Sequence, residues 1–246
     1  MLLILVLVVG YSSILEMLTS RGIRKLTVFE NFNPYYSRVI PEYKRTRVPS
    51  TVLSRKAAEA SLKLEHFSAS FLVDAGSFFS SCEASWKWPN LTSLTLTSRV
   101  LAPETSQADI DDLLISAATA AMEMPQLQIM EIWNGQAGIA ALFSYQSRYS
   151  GVNWKCTWDS TLQPLVVQAW TRVGHKSGSR GLVVRQKVLG NPADIESHGD
   201  AIHYLKLSEQ VVRPISLQQI RTEHKVHSIW EEMRKAKERQ EELESD

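Results

Sequence analysis

Cysteine is nearly missing from this chain: Cys82 and Cys156 are the only two among 246 residues. So few thiols exclude a disulfide-dense scaffold, and they read as small buried hydrophobes of a reducing compartment, hence an intracellular protein. A surplus of charge is missing too, with 27 basic against 26 acidic residues and a net charge of +1. The totals therefore give no electrostatic reason to expect a nucleic acid or an acidic membrane as partner. Long apolar runs are also absent. Leu2 to Val9 is unbroken, but Glu16 interrupts it well before the roughly 20 residues that a membrane span needs. No basic residue precedes Arg21, where a signal peptide would carry one, so the run reads best as a buried element. The sequence holds no Walker loop, dinucleotide fingerprint, G-x-S-x-G elbow, H-E-x-x-H or C-x-x-C. The common signatures of nucleotide, acyl-transfer and zinc chemistry are thereby excluded, and no cofactor is expected.

What the sequence does contain is a recurring step. Leu91, Leu94 and Leu96 follow Pro89, and Leu127, Met130 and Ile132 follow Pro125 at the same spacing. Ile23, Leu26 and Val28, and then Leu64, Phe67 and Ala69, repeat it. This L-x-x-L-x-L pattern is the strand step of leucine-rich repeats, whose units stack because none buries its apolar face alone. The middle slots, Leu26, Phe67, Leu94 and Met130, are unevenly spaced, so the units are degenerate. Helical periodicity lies between them. It covers Ser50 to Ser61 with Ser50 as N-cap and Val52, Leu53, Ala57, Ala58 and Ala60 inside, a short piece over Ala75 to Ser85, and Asp109 to Met124. Ile14 to Leu18 predicts one more helix, and Lys44 to Arg47 a solvated basic cluster in a proline-punctuated loop. The fold expected is α/β, with degenerate helix–strand units and a largely parallel sheet.

After Trp133 the rhythm changes. Asn134-Gly135 reads as a hairpin turn, with Ile139 to Tyr145 as the returning strand. Trp154 to Asp159 alternates, Leu165 to Val173 is helical, and His175 to Gly181 is a loop. Leu182 to Val184 and Ala201 to Leu207 read as the last strands. A Ser-x-x-Gln capping box starts a C-terminal helix at Ser216, with Leu217, Ile220, Ile229, Trp230 and Met233 as its apolar face and a charged tail beyond. The organisation expected is an apolar opening over 1–13, repeat-like units over 14–133, an α+β continuation or cap over 134–215, and a helix with tail over 216–246.

Three groups of residues are candidates for function. Trp88 and Trp133 mark strand ends, where tryptophan can anchor a protein partner. His198, Asp200 and His203 lie close in sequence and could serve a hydrolase-like or metal-dependent reaction with Asp159 or Asp194 folded alongside. Gly199 suggests a turn between them. The loop Gly174 to Gly181 could bend around an anion.

The segments Trp88 to Ser98, Ala120 to Pro125, Met130 to Gly135 and Ser197 to Ile202, taken together, resemble the leucine-rich-repeat-like C-terminal region of fungal F-box-type proteins of uncharacterised function. The resemblance spans most of residues 14–224. In such proteins the repeats choose a target while an F-box docks on a Skp1-type ubiquitin ligase scaffold. An F-box itself is not evident in this sequence. The resemblance therefore implies a non-enzymatic, intracellular protein-binding module, and the balanced charge leaves nucleic acid and membrane out of its expected partners. The alternatives are an enzyme built on His198 to His203 and a secreted or membrane-associated protein led by Met1 to Val9.

Overall fold

The computed structural model describes residues 22–31 and 50–245, with some side chains beyond residue 222 left out. The apolar opening, the helix expected at Ile14 to Leu18 and the basic cluster at Lys44 to Arg47 lie outside the described residues. One seven-stranded sheet carries the chain, and its strands are ordered as in the sequence. These are β1 (Lys25–Phe29), β2 (His66–Asp74), β3 (Ser93–Thr97), β4 (Ile129–Gln136), β5 (Ile139–Gln146), β6 (Gly151–Cys156) and β7 (Val183–Val188). The first four run parallel, β4, β5 and β6 alternate, and β7 is parallel to β6.

The recurring step is visible as register. Leu26, Phe67, Leu94 and Met130 are successive partners across the four parallel strands, and Val28, Ala69, Leu96 and Ile132 form the next row. Both rows continue over the antiparallel part, through Tyr145 and Val152 and through Phe143 and Trp154. Strands between neighbours of like direction need crossovers, and helices supply them. They are α1 (Thr51–Ser61), α2 (Ala75–Ser80), α3 (Gln107–Ala121) and α4 (Pro164–Lys176). All four pack on these apolar rows in one continuous core. Ser50 caps α1 by accepting from the Leu53 amide, and Ser106 caps α3 by accepting from the Asp109 amide, each cap stabilising by about 1 kcal/mol. Leu53, Ala57, Ala58 and Ala60 face inward as expected, whereas Val52 is exposed. Trp170 of α4 sits 4.9 Å from Phe143 and 5.1 Å from Tyr145, and its indole donates to the Leu114 carbonyl of α3.

The opposite face of the sheet is different. Its middle row reads Thr27, Ser68, Thr95, Glu131, Ser144 and Asn153. Over the β4–β5 part of this face lie α5 (His198–Leu205) and the start of α6 (Pro214–Ser245), in a smaller core with Trp133, Leu142, Val211, Val212 and Ile220. The later strands therefore extend the same sheet, with helices on both of its faces.

Three local expectations are corrected. Asn134-Gly135 is inside β4, paired with Ala141 and Ala140; the hairpin turns at Ala137-Gly138, where Gly138 takes φ +75°. Ala201 to Leu207 is not a strand. Ser197 accepts from the Asp200 amide as an N-cap, and Ala201, Ile202 and Leu205 fall on one side of α5. Alternation over so short a stretch cannot tell the two periods apart, and the cap decides for helix. On α6 only Leu217 and Ile220 of the expected face pack inward, while Ile229 and Met233 are exposed and the Trp230 side chain lies outside the described residues.

Candidate functional site

Parallel sheets place their crevices at the carboxyl ends of the strands, and this chain has one there. Glu30 after β1, Phe71, Val73 and Asp74 of β2, Thr97 to Arg99 after β3, and Asn134 to Gln136 of β4 line a cavity of about 110 Å³. That admits a few waters and falls well short of the roughly 300 Å³ and above that drug-sized ligands use.

Several of the cavity's polar groups are engaged by the chain itself. β2 bulges between Ala69 and Asp74, and Phe71 takes φ +64°, a left-handed conformation that costs a non-glycine residue about 1–2 kcal/mol. Thr97 holds the bulge: its Oγ1 accepts from the Phe71 amide at 2.7 Å and donates to the Val73 carbonyl. Asp74 accepts from the amides of Gly76 and Ser77, capping α2, and from the Ser98 hydroxyl and the Arg99 amide. Asn134 donates to the Leu101 carbonyl and accepts from the Gly135 amide.

Both tryptophans expected at a binding surface are interior, with Trp88 1% and Trp133 0% exposed. The Trp88 indole donates to Ser61 Oγ at 2.7 Å, joining β3's approach to α1. Trp133 packs against Phe71 at 5.0 Å, and Phe71 in turn lies 5.6 Å from Phe29 and 5.5 Å from His198. These four rings, from three strands and α5, fill the space under the crevice. The Trp133 indole N–H meets no hydrogen-bond partner among the described residues. A large ring is drawn inward because burying it removes a large apolar area from water.

His198 and His203 do not converge. His198 is buried in that aromatic cluster with Nε2 3.0 Å from Asn31 Oδ1, while His203 is exposed beside Tyr204. Asp200 accepts from Arg221 Nε of α6 at 2.7 Å and from the Ser197 hydroxyl at 2.8 Å, so it locks α5 to α6. Asp159 is exposed in a loop after β6 and Asp194 is exposed at the end of a short 3-10 helix, Pro192–Asp194. Among the described residues no group of three His, Cys, Asp or Glu side chains is placed to hold a metal. In the glycine–serine loop, Ser179 Oγ is engaged with Gly181, donating to its carbonyl and accepting from its amide. Burial pushes the Cys82 thiol up to about 12 and the Cys156 thiol to about 11, so neither is a reactive thiolate.

One buried ionisable group was not singled out by spacing. Glu131, at the centre of β4, is 1% exposed. Its Oε1 accepts from the Ser208 amide at 2.9 Å, whereas Oε2 and its row neighbour Thr95 Oγ1 meet no partner among the described residues. Burial, opposed by the Ser208 hydrogen bonds, raises its pKa above the usual carboxylate range. Its only signal in the sequence is an acid at a strand position between Met130 and Ile132, which alternation assigns to a solvent face.

These features define a mixed α/β protein on one largely parallel seven-stranded sheet, with a small crevice at its strand ends. Residues 18–213 match a protein family described as a family of unknown function, DUF6546, and the chain belongs to it. No curated protein and no solved structure matches the chain. Among the described residues no helix is long and apolar enough to cross a membrane.

Proposed function

We propose that the protein is a non-enzymatic protein-binding module, built from degenerate leucine-rich-repeat-like units and acting as the target-recognition part of an F-box-type ubiquitin ligase adaptor. The observation that carries the binding role is α6. A helix advances about 100° per residue, so Leu217, Ile220 and Arg221 share one side and pack on the body. Ile215, Val226, Ile229 and Met233 share the other side, at 45 to 75% exposure. A helix apolar on two sides has one face left for a partner, and the i, i+3, i+7 spacing suits insertion into an apolar groove. The strand-end crevice supports the same reading, because its small volume leaves little room for a substrate.

The test is affinity purification of the tagged full-length chain from a fungal lysate, beside the variant Val226→Ser, Ile229→Ser, Met233→Ser. Proteins retained by the parent chain and lost with the variant, at unchanged thermal unfolding, support a module that binds through α6. A Skp1-type scaffold among the retained proteins supports the adaptor role, and its absence removes that part of the proposal. Identical capture by both chains, or capture by neither, would count against the binding role of α6.

A further inference from the structure

Net charge conceals a local surplus. Between Asp159 and Asp194 there is no acidic residue, while Arg172, Lys176, Arg180, Arg185 and Lys187 add five positive charges, in a chain whose total is +1. All five are exposed, and they belong to α4, β7 and the loop that joins them. Lys176 reaches the Met122 carbonyl and stands 3.8 Å from Glu123. The other four make no ion pair among the described residues.

The fold gathers this surplus at one edge of the sheet. β7 is the last strand in the order and, among the described residues, pairs only with β6. Every β7 residue except Val184 is exposed. The amide of Val183 donates to Ser150 and that of Leu189 to Cys156. Strand alternation therefore turns the odd-numbered backbone groups toward β6 and those of Val184, Gln186 and Val188 outward. Side chains alternate as well, with Arg185 and Lys187 on the sheet's polar face and Val184 and Val188 on the face of α4.

An open edge is a template for another strand. A second copy of this chain is a poor occupant, since antiparallel pairing of two β7 edges about Gln186 would set Arg185 against the other copy's Lys187. We infer that the β7 edge docks an extended acidic segment of a partner protein, which adds to the sheet as an eighth strand. Its acidic side chains meet Arg185 and Lys187, and its alternate apolar side chains lie along Val184 and Val188. A nucleic acid strand would use the charges but not the backbone ladder, so the ladder distinguishes the two. This inference rests on β7 alone and stands or falls apart from the α6 stripe.

The experiment is fluorescence anisotropy with the full-length chain and a labelled peptide of alternating glutamate and valine. Comparison probes are an alternating lysine–valine peptide, the glutamate–valine peptide with alternate amides N-methylated, and a labelled single-stranded oligonucleotide. Binding of the acidic peptide, weakened at least about tenfold by N-methylation and by the change to lysine, is the expected result. In the variant Arg185→Glu, Lys187→Glu the preference should reverse toward the lysine peptide. No binding of the acidic peptide, binding indifferent to N-methylation, or tighter binding of the oligonucleotide would each overturn the inference.

Discussion

Gly135 of β4 and Ala201 of α5 approach so closely that a Cβ added to the glycine would lie 2.5 Å from the alanine's own Cβ. This contact lets α5 rest on the strand and bring His198 over Phe71. The change Gly135→Ala should therefore destabilise the fold by about 1–3 kcal/mol through overpacking. Pairing it with Ala201→Gly should restore part of that loss, and urea unfolding of the single and double variants measures the coupling. Additive effects would mean that the two sites do not share this contact.

The interior Trp88 and Trp133 should respond differently to the same substitution. Trp88→Phe strands Ser61 Oγ without the indole donor it accepts from, and about 1 kcal/mol should be lost. Trp133→Phe removes a buried N–H that meets no partner among the described residues, so its cost should be smaller than ring volume alone suggests. Trp133→Ala should cost about 3–5 kcal/mol by leaving a cavity among Phe29, Phe71 and His198. Denaturant midpoints of the three variants give the order directly.

Glu131 predicts a pH dependence of definite sign. Its pKa in the folded chain is raised, chiefly by burial, so the folded state holds this proton more tightly than the unfolded chain does. The resulting stabilisation is complete below the ordinary carboxyl range and is lost as pH rises through the raised value. Glu131→Gln keeps an oxygen for the Ser208 amide and cannot ionise. From acidic to neutral pH, the parent's unfolding free energy should fall relative to that of the variant. Parallel stability profiles would show that the carboxyl does not titrate in this range.

Arg221 and Asp200 join α6 to α5, with the Asp200 side chain 7% exposed. Arg221→Ala removes that charged hydrogen bond and should cost about 2 kcal/mol. Because α5 covers Glu131's side of the sheet, amide exchange in residues 198–213 should also quicken. A variant with unchanged exchange there would show that α6 is held by its apolar contacts alone.

Much of the architecture was legible because it rests on short-range chemistry. The spacing of Leu26, Phe67, Leu94 and Met130 encodes which strand residues face the helices, and these four became register partners. Ser50 and the alanine-rich stripe of α3 marked helices through bonds and periods that close within one or two turns. What lay beyond that range depended on the assembled sheet. Gly135 and Gly199 look like turn residues, yet each is needed because another element packs against it, Ala201 in one case and Ile220 with Arg221 in the other. A glycine has the same appearance in sequence whether it frees φ or makes room for a neighbour.

By itself the sequence determined the periods, the caps and the scarcity of reactive groups, each of which is set by neighbours a few positions away. Only the tertiary structure decided that Trp88 and Trp133 are interior, that Glu131 is desolvated and that His198 and His203 point apart. It also decided that the acid-free stretch between Asp159 and Asp194 lies along an open strand edge. Burial and convergence depend on which distant elements stack on which face, and sheet register with helix docking sets that after the local elements have formed.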